Sequence, residues 1–434
     1  MKNILLLCCY AVFSAASLDA QKLNDKAQAM AVEIEAKVIE WRRHFHANPE
    51  LSNREFKTAE KIAEHLTALG IDVETGVAKT GVVGILKGGK SGPVVALRAD
   101  IDALPVTERT PVPFASTVKS EYNGVETGVM HACGHDTHIA ILMGVAEVLS
   151  KMRKELKGTV KFIFQPAEEG APPGEEGGAE LMVKEGVLKN PDVDVIFGLH
   201  IAAGTDVGRI TYKPGGTMAA ADRFVIKIKG KQAHGSTPWS SVDPIVTAAQ
   251  VINGLQTVVS RQTELTKEAA VVSVGMIRGG VRNNIIPEEV EMIGTIRTLD
   301  TEMQEKVHND IKRTAIKIAE SQGASAEVDI QIGYPVTYND PALTLKMLPS
   351  LEKAAGKDNV DLVNAITGAE DFSFFQKEVP GLYFFVGGRP LKQPEGDIIL
   401  GGHHTPDFYI DESGLIVGVK AMLNLTLDYM ASAK

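Results

Sequence analysis

Residues 160–170 read VKFIFQPAEEG, an apolar run with aromatic and β-branched side chains that ends in two adjacent carboxylates. A run of this kind predicts a strand that is buried on both faces of a sheet. Similar runs lie at 94–98 (VVALR) and 195–199 (VIFGL), and apolar residues recur at helical spacing over 139–149. Apolar strands that alternate with helices predict an α/β domain with a mainly parallel sheet.

A second pattern begins near residue 218. Its predicted elements are, in order, strand 223–229, helix 243–260, strand 270–276, strand 290–297, helix 301–321 and strand 326–332. The order β-α-β-β-α-β is that of a ferredoxin-like unit. We therefore predict a small α+β domain at 218–332, inserted into a larger α/β domain that comprises 21–217 and 333–434.

Length and composition narrow the class of protein. The chain has 434 residues, which favours two or three domains, and 44% hydrophobic with 23% charged residues is ordinary for a globular protein. The formal net charge of −10 argues against non-specific binding to nucleic acid. We expect no nucleic-acid partner.

The first twenty residues are typical of a secretory signal peptide. Lys2 is followed by an apolar stretch at 4–13 and small residues at 14–17. We expect cleavage after Ala20, with Ala16 as the alternative, and export to the periplasm or out of the cell. The apolar stretch is too short for a stable membrane anchor. Removal of this segment leaves Cys133 as the single cysteine, which cannot form an intramolecular disulfide.

Residues 131–138 read HACGHDTH and place a thiol among several imidazoles. Gly134 would let the backbone turn so that Cys133 and His135 converge on one point. We expect the next helix to start near Asp136 as its N-cap, and its dipole to lower the pKa of the thiol. One or both of the remaining histidines of this segment, 131 and 138, are predicted to be supporting hydrogen-bonding groups and not ligands. A buried structural cysteine beside capping residues is the alternative.

Glu168 and Glu169 directly follow a predicted strand, where α/β sheets place their active sites. Neighbouring side chains in an extended segment point in opposite directions, so one carboxylate could ligate a metal while the other faces a substrate. His200 also ends a predicted strand. A solvated acidic loop and a buried core histidine remain the alternatives for these positions.

The order of the motifs is more specific than any one of them. The motifs are RRHFH at 42–46, PEL at 49–51, RADIDALP at 98–105, HACGHDTH at 131–138, QPAEEG at 165–170, GLH at 198–200, KQAHG at 231–235, NIIP at 284–287, GAEDF at 368–372 and HTP at 404–406. With these motifs the chain resembles the aminoacylase/carboxypeptidase family of di-metal amidohydrolases. Within it, the chain is most similar to the subgroup of hippurate hydrolases, indole-acetyl-amino-acid hydrolases and N-acyl-L-amino-acid amidohydrolases.

The resemblance implies a role for each matching residue. The implied metal ligands are Cys133, His135, Glu169, His200 and His404. His404 is preferred to His403 because it lies two residues before a proline, as the family's ligand does. Glu168 matches the general base, and Asp102 matches an acid that orients the site. In the inserted domain, the implied substrate-binding groups are His234, Asn284 and, as a further candidate, Arg297.

The family further implies two divalent ions with a shared water that Glu168 deprotonates for attack on an amide. Zinc, manganese, cobalt and nickel all fit the ligand types. The inserted domain matches the family's lid and dimerisation domain, whose histidine commonly serves the partner subunit. We therefore expect a homodimer that cleaves small N-acyl amino acids. A metallo-dipeptidase or carboxypeptidase of the same family, and an inactive binding protein that keeps the fold, are the two alternatives.

Overall fold

The computed structural model describes residues 21–394, 396 and 398–432, so the predicted signal peptide at 1–20 lies outside the described residues. The chain forms two compact units. The described residues of Met1–Gly215, Asn339–Val363 and Phe374–Lys434 form the first, and Gly216–Tyr338 with Asn364–Ser373 form the second. The segment Asn364–Ser373 joins the second unit although the predicted boundaries, 218–332, do not include it.

An eight-stranded sheet organises the first unit among the described residues. Its strands are β1 (Asp72–Val77), β2 (Gly81–Lys87), β3 (Lys90–Asp100), β6 (Lys157–Gln165), β7 (Val195–Asp206), β8 (Ile210–Tyr212), β17 (Val360–Leu362) and β18 (Gly381–Arg389). Their spatial order is β1-β2-β6-β3-β7-β18-β8-β17. The four central strands β6, β3, β7 and β18 are parallel, and antiparallel pairs flank them. The prediction of a mainly parallel α/β sheet is confirmed.

Helices cover this sheet. They are α1 (21–33), α2 (Glu35–Ala47), α3 (Phe56–Ala68), α4 (His135–Lys151), α5 (Gly178–Lys184), α8 (Pro341–Ala355), α9 (Ser373–Glu378) and α10 (Leu415–Ser432). All residues of α4 from His135 to Leu149 are buried, which matches its apolar sequence. Among the described residues, the segment Glu412–Ser432 alone is long and apolar enough to cross a membrane, and 67% of its apolar window is buried in the protein.

The second unit contains a four-stranded antiparallel sheet and two helices, with the predicted β-α-β-β-α-β order. The elements are β10 (Ala220–Lys229), α6 (Pro244–Thr257), β12 (Ala270–Gly279), β14 (Glu289–Thr298), α7 (Thr301–Ser321) and β15 (Ser325–Tyr334). The strand order is β12-β14-β10-β15. Residues that alternate along β10 and β14, such as Phe224, Ile226 and Met292, form its buried core with the helices.

Short strand pairs complete the described part of the chain. They are β4 (Lys119–Tyr122) with β5 (Val125–Gly128), β9 (Gly215–Met218) with β16 (Thr337–Asn339), and β11 (Ala233–His234) with β13 (Ile285–Ile286). Two predicted substrate-binding residues, His234 and Asn284, lie in or next to the last pair.

Candidate metal centre

Seven predicted site residues come together in the first unit, where the parallel strands end. Asp102 follows β3, and Glu168 and Glu169 follow β6. His200 lies on β7, while Cys133 and His135 lie at the start of α4. His404 lies in the segment between β18 and α10. Open α/β sheets bind their ligands at this edge because the loops that leave parallel strands converge there.

The Cys133 side chain lies at the centre of the cluster. Its Sγ atom is 3.4 Å from Nε2 of His200 and 3.3 Å from Nε2 of His404. Two groups of three potential ligands share this thiol: one with His135 and His200, the other with Glu169 and His404, and within each group the ligand atoms lie within 4.8 Å of one another. Five potential ligands exceed the needs of one tetrahedral ion and suit two ions.

The His135 ring is oriented by Asp102. Its Nδ1 lies 2.9 Å from the Asp102 carbonyl oxygen and 3.1 Å from Oδ1, so Nδ1 carries the proton and donates it. Nε2 is buried and has no hydrogen-bond partner among the described residues. A histidine whose one nitrogen donates to a carboxylate presents the lone pair of the other nitrogen to a metal. This orphaned nitrogen therefore fits a metal ligand.

The two adjacent carboxylates reach the same cluster from one turn. Glu168 is 6% exposed, and its Oε2 lies 3.8 Å from Nε2 of His135. Oε1 of Glu169 lies 3.1 Å from Nε2 of His404 and 4.0 Å from Nε2 of His135. The backbone N–H of Glu169 donates to Oδ2 of Asp102 at 3.0 Å. Asp102 thus orients both His135 and the carboxylate turn.

His403 and His404 have different environments. Nδ1 of His403 donates to the Cys133 carbonyl oxygen at 3.1 Å, and Nε2 accepts from the Ala203 N–H at 3.1 Å, so both nitrogens are used. Burial lowers the pKa of His403 to about 4. His404, at a φ of 62°, turns its ring towards Cys133 and Glu169 instead. The geometry thus places His404, and not its neighbour, in the cluster.

His138 and His131 also differ. Nδ1 of His138 donates to Asp100 at 2.5 Å, and its Nε2 accepts from the Ile201 N–H at 2.8 Å, which fits a supporting role. Neither ring nitrogen of His131 has a hydrogen-bond partner among the described residues, and burial lowers its pKa to about 4. His131 is therefore a neutral buried side chain.

Helix α4 starts near the predicted position, but its predicted N-cap, Asp136, is wrong. The helix begins at His135, and Gly134 is the N-cap at a φ of 94° with no side-chain cap. Asp136 lies in the first turn, where its carboxylate forms an ion pair with Arg42 Nε and accepts a hydrogen bond from His46 Nδ1, both at 2.8 Å. The Asp136 carboxylate, which the sequence suggested as a helix cap, is instead part of an ion pair with helix α2.

The prediction that the helix dipole lowers the pKa of the Cys133 thiol is also wrong. Burial, together with the carboxylates of Glu169 and Glu168, raises the pKa of Cys133 well above its ordinary value. Burial and the nearby negative charge outweigh the helix dipole, which is equivalent to only about half a charge. A thiol beside carboxylates and imidazoles is a set of donor types that suits divalent cations.

The three predicted substrate-binding residues lie in the second unit. His234 is exposed, and its Nδ1 accepts from the Ser236 N–H at 3.1 Å. Strand pairing brings it beside Asn284, whose Oδ1 is buried without a hydrogen-bond partner among the described residues. Arg297 lies in the four-stranded sheet, where it donates to the Ile296 carbonyl oxygen at 3.1 Å. The structure thus pairs His234 with Asn284 and places Arg297 in a separate sheet.

Two further residues of the site were not recognised in the sequence. Ser52 Oγ donates to Oδ2 of Asp102 at 2.8 Å, and Glu55 Oε1 accepts from the backbone N–H of Ala167 at 2.9 Å. Both lie in the polar stretch between α2 and α3, which carries no metal-ligand spacing. Only the fold brings this stretch against the ligand-bearing turns.

The fold and the cluster define the class of protein as a hydrolase of the metal-dependent type, with a carboxylate beside a set of thiol and imidazole donors. Residues 96–428 match the profile of Peptidase family M20/M25/M40. The chain belongs to this family, and it is an enzyme that acts on amide bonds.

Relatives with named activities cover most of the chain. It is 40% identical over 409 residues to thermostable carboxypeptidase 2 of Saccharolobus solfataricus, a match that covers 94% of this chain and 99% of the relative. It is 41% identical over 316 residues to an N-acyl-L-amino acid amidohydrolase of Geobacillus stearothermophilus, with 73% and 81% covered.

A solved structure has the same fold. The Bacillus subtilis YXEP protein, a dinuclear metal binding peptidase from the M20 family, is 37% identical and superposes with a TM-score of 0.76 over 92% of this chain and 99% of its own. The family and this neighbour suggest two divalent metal ions.

Proposed function

We propose that the protein hydrolyses the amide bond of N-acyl amino acids and releases an acid and an amino acid. The observation that carries the proposal is Glu168, a buried carboxylate that lies 3.8 Å from His135 beside the shared thiol of Cys133. The similarity to an N-acyl-L-amino acid amidohydrolase supports this class of substrate.

The proposed ligands are Cys133, His135, Glu169, His200 and His404. Bound divalent ions would lower the pKa of a shared water and polarise the amide carbonyl. Glu168 takes the proton from the attacking water and then donates it to the leaving amine nitrogen. Asp102 keeps His135 in the tautomer that leaves Nε2 without a proton. Zinc, manganese, cobalt and nickel remain the candidate ions because imidazole, thiolate and carboxylate suit all four.

In the second unit, we assign His234, Asn284 and Arg297 to recognition of the substrate carboxylate and the reacting carbonyl. The buried Oδ1 of Asn284 has no partner in the described part of the chain, which supports this assignment because a buried polar atom is costly unless a group pairs with it. His234 is exposed beside it and offers an imidazole donor.

A carboxypeptidase or dipeptidase is the second candidate function. The relative from Saccharolobus solfataricus that covers 94% of this chain is named a carboxypeptidase. The bond cleaved is an amide in both cases, so the ligand cluster does not separate the two. The group on the acyl side of that bond does: a simple acid in one case and an amino acid or peptide in the other.

Two isosteric variants test the division of labour between the adjacent carboxylates. Glu168→Gln should keep two ions per chain and lose about a hundredfold to ten-thousandfold in kcat, because only the proton acceptor is removed. Glu169→Gln should instead lower the metal content. Metal analysis and kinetics on the same preparations measure both effects. Full activity of Glu168→Gln would reject Glu168 as the base.

We also propose that the protein acts as a homodimer through the second unit. Strand β12 lies at an edge of its sheet, and Ile277 on this strand and Val281 in the next loop are 51% and 93% exposed. An open edge with exposed apolar side chains favours pairing with a second copy.

We further propose export to the periplasm or out of the cell, directed by residues 1–20 with cleavage after Ala20. The charged, apolar and small-residue regions of this segment support the proposal. Deletion of residues 2–20 should retain the protein in the cytoplasm of the producing cell. Cell fractionation checks this outcome, and unchanged export would reject the proposal.

A further inference from the structure

The backbone at Ala167 has an uncommon conformation directly before the proposed base. Its φ is 52°, in the left-handed region that alanine rarely adopts because its Cβ crowds the backbone. The next residue is Glu168, so the direction of the Glu168 side chain depends on this conformation. Ala167 is also 1% exposed, and a buried turn of this kind needs protein groups to hold it.

Glu55 provides the contact that fixes this turn. Its Oε1 accepts from the Ala167 N–H at 2.9 Å, and its Oε2 accepts from the Thr80 hydroxyl at 2.6 Å. The Glu55 residue is fully buried, with 0% of its surface exposed. Buried carboxyl groups are rare because they lose their hydration, so both hydrogen bonds matter for keeping this one in place.

The residues next to Glu55 contact the same region. Ser52 donates to Asp102, and Asn53 Nδ2 donates to the Glu176 carbonyl oxygen at 3.1 Å. The stretch 52–55 therefore touches both the orienting acid and the loop that follows Glu169. The stretch 52–55 thus contacts residues around the turn, but it contributes none of the proposed metal ligands.

We propose that Glu55 is a positioning residue that holds Ala167 in its left-handed conformation and thereby aims the Glu168 carboxylate at the attacking water. The inference rests on the proposed function, in which Glu168 is the base. It requires the hydrogen bond to Ala167 and does not require a charge on Glu55. The carboxyl group of Glu55 therefore acts by its shape and its acceptor oxygen.

Three variants test the proposal. Glu55→Ala removes the acceptor, and we expect kcat to fall about tenfold to a hundredfold through misplacement of Glu168, with KM and metal content unchanged. Glu55→Gln retains an acceptor for Ala167 and a donor for Thr80, and it should stay within about threefold of the parent. Thr80→Val is the matched control: it removes the other hydrogen bond of the same carboxyl group and should lower stability without lowering kcat.

The opposite pattern would overturn the proposal. Equal kcat in Glu55→Ala and the parent enzyme, or equal losses of kcat in Glu55→Ala and Thr80→Val, would make Glu55 a merely structural residue. If Glu55→Ala does not fold, Glu55→Asp replaces it, because its shorter side chain should fall short of Ala167 while keeping a carboxyl group in the interior.

A crystal structure of the folded variant separates failure of this inference from failure of the proposed function. We expect Ala167 to leave the left-handed region and the Glu168 carboxylate to move. An unchanged turn at residues 166–169 would refute the inference even if the enzyme is active. Absence of hydrolysis by the parent enzyme would refute the proposed function, and the crystal structure alone would then decide the role of Glu55.

Discussion

Gly134 has a left-handed backbone conformation and is also packed closely against a neighbouring strand. Its φ is 94°, and a Cβ added there would lie 2.4 Å from Cγ2 of Ile201. The residue separates Cys133 from His135, and both of those side chains enter the cluster. Glycine therefore allows the turn and also allows strand β7 to approach it.

We expect Gly134→Ala to destabilise the protein by about 1–3 kcal/mol and to lower its metal affinity, because either the turn or Ile201 must move. Gly174→Ala is a suitable control: Gly174 also has a positive φ, of 83°, but a Cβ there meets nothing within 4 Å. Denaturant unfolding and metal titration measure both effects. Similar behaviour of the two variants would show that space at residue 134 does not matter.

Glu55 should give the protein a recognisable pH dependence. Burial and the nearby Asp102 raise the pKa of Glu55 from 4.5 to about 8. Between about pH 4.5 and about pH 8, the folded protein therefore keeps a proton on Glu55 that the unfolded chain has lost. The stability linked to this proton is complete below about pH 4.5 and is lost as the pH rises to about 8. Glu55→Gln, which does not titrate, should lack this loss.

Urea unfolding of the parent enzyme and Glu55→Gln between about pH 5 and about pH 8 checks the expectation. The difference in the free energy of unfolding between the two proteins should change steadily with pH, with the parent losing stability relative to the variant. Parallel curves across this range would show that Glu55 titrates normally in the folded protein.

At the scale of elements, helices α2 and α4 are joined by a buried ion pair and by a half-exposed one. Arg42 on α2 contacts Asp136 on α4 at 2.8 Å, with side-chain exposures of 4% and 0%. Lys37 on α2 contacts Glu147 on α4 at 2.9 Å, and its side chain is 55% exposed. Because Asp136 follows His135, the buried pair fixes the end of α4 that carries the ligands.

We expect Asp136→Asn to cost about 3 kcal/mol, because the buried Arg42 loses its ion pair with Asp136 and is left with the one with Glu412 at 3.2 Å. Lys37→Gln breaks the other pair between the same helices and should cost at most about 1 kcal/mol, because Lys37 is half exposed and Glu147 keeps Lys151 as a partner. Thermal and denaturant unfolding provide the measurements. Equal losses in the free energy of unfolding would show that burial does not make the Arg42–Asp136 pair more important than the Lys37–Glu147 pair.

The same elements show what the sequence could predict. The apolar runs at 94–98, 160–164 and 195–199 predicted the parallel sheet because a strand buried on both faces must be apolar throughout. Strand ends suggested Glu168, Glu169 and His200 because parallel strands end at one edge, whereas the complete ligand set followed only from the resemblance to the family. Strand and helix order in the second unit was also predictable from alternation and helical spacing.

Other features depended on contacts between residues that are distant in the sequence. Asp136 looked like a helix cap, but its partner Arg42 is 94 positions away. Glu55 is a charged residue directly before helix α3, a position that is usually exposed, although the fold buries it against Ala167. The raised pKa of Cys133 arises from burial and from carboxylates that only the folded chain brings near. No local pattern encodes these contacts.

At the scale of the whole molecule, the proposed dimer should depend on β12 and the loop after it. Ile277→Lys combined with Val281→Asp places charges on the exposed apolar surface and should give a monomer with reduced activity. Leu362→Lys, at an exposed apolar position of the first unit, is the control and should leave the assembly unchanged. Sedimentation velocity with parallel assays measures the outcome. A parent enzyme that is monomeric and fully active at low concentration would contradict the dimer.

The most direct test of the account is hydrolysis of a substrate panel by protein stripped of metal and then reloaded with zinc, manganese, cobalt or nickel. The panel contains hippurate, N-acetyl amino acids, indole-acetyl-amino acids and plain dipeptides. We predict cleavage that requires metal and favours N-acyl amino acids over dipeptides. Preference for dipeptides would place the protein with the peptidases instead, and no cleavage of any substrate with metal demonstrably bound would contradict the enzymatic account.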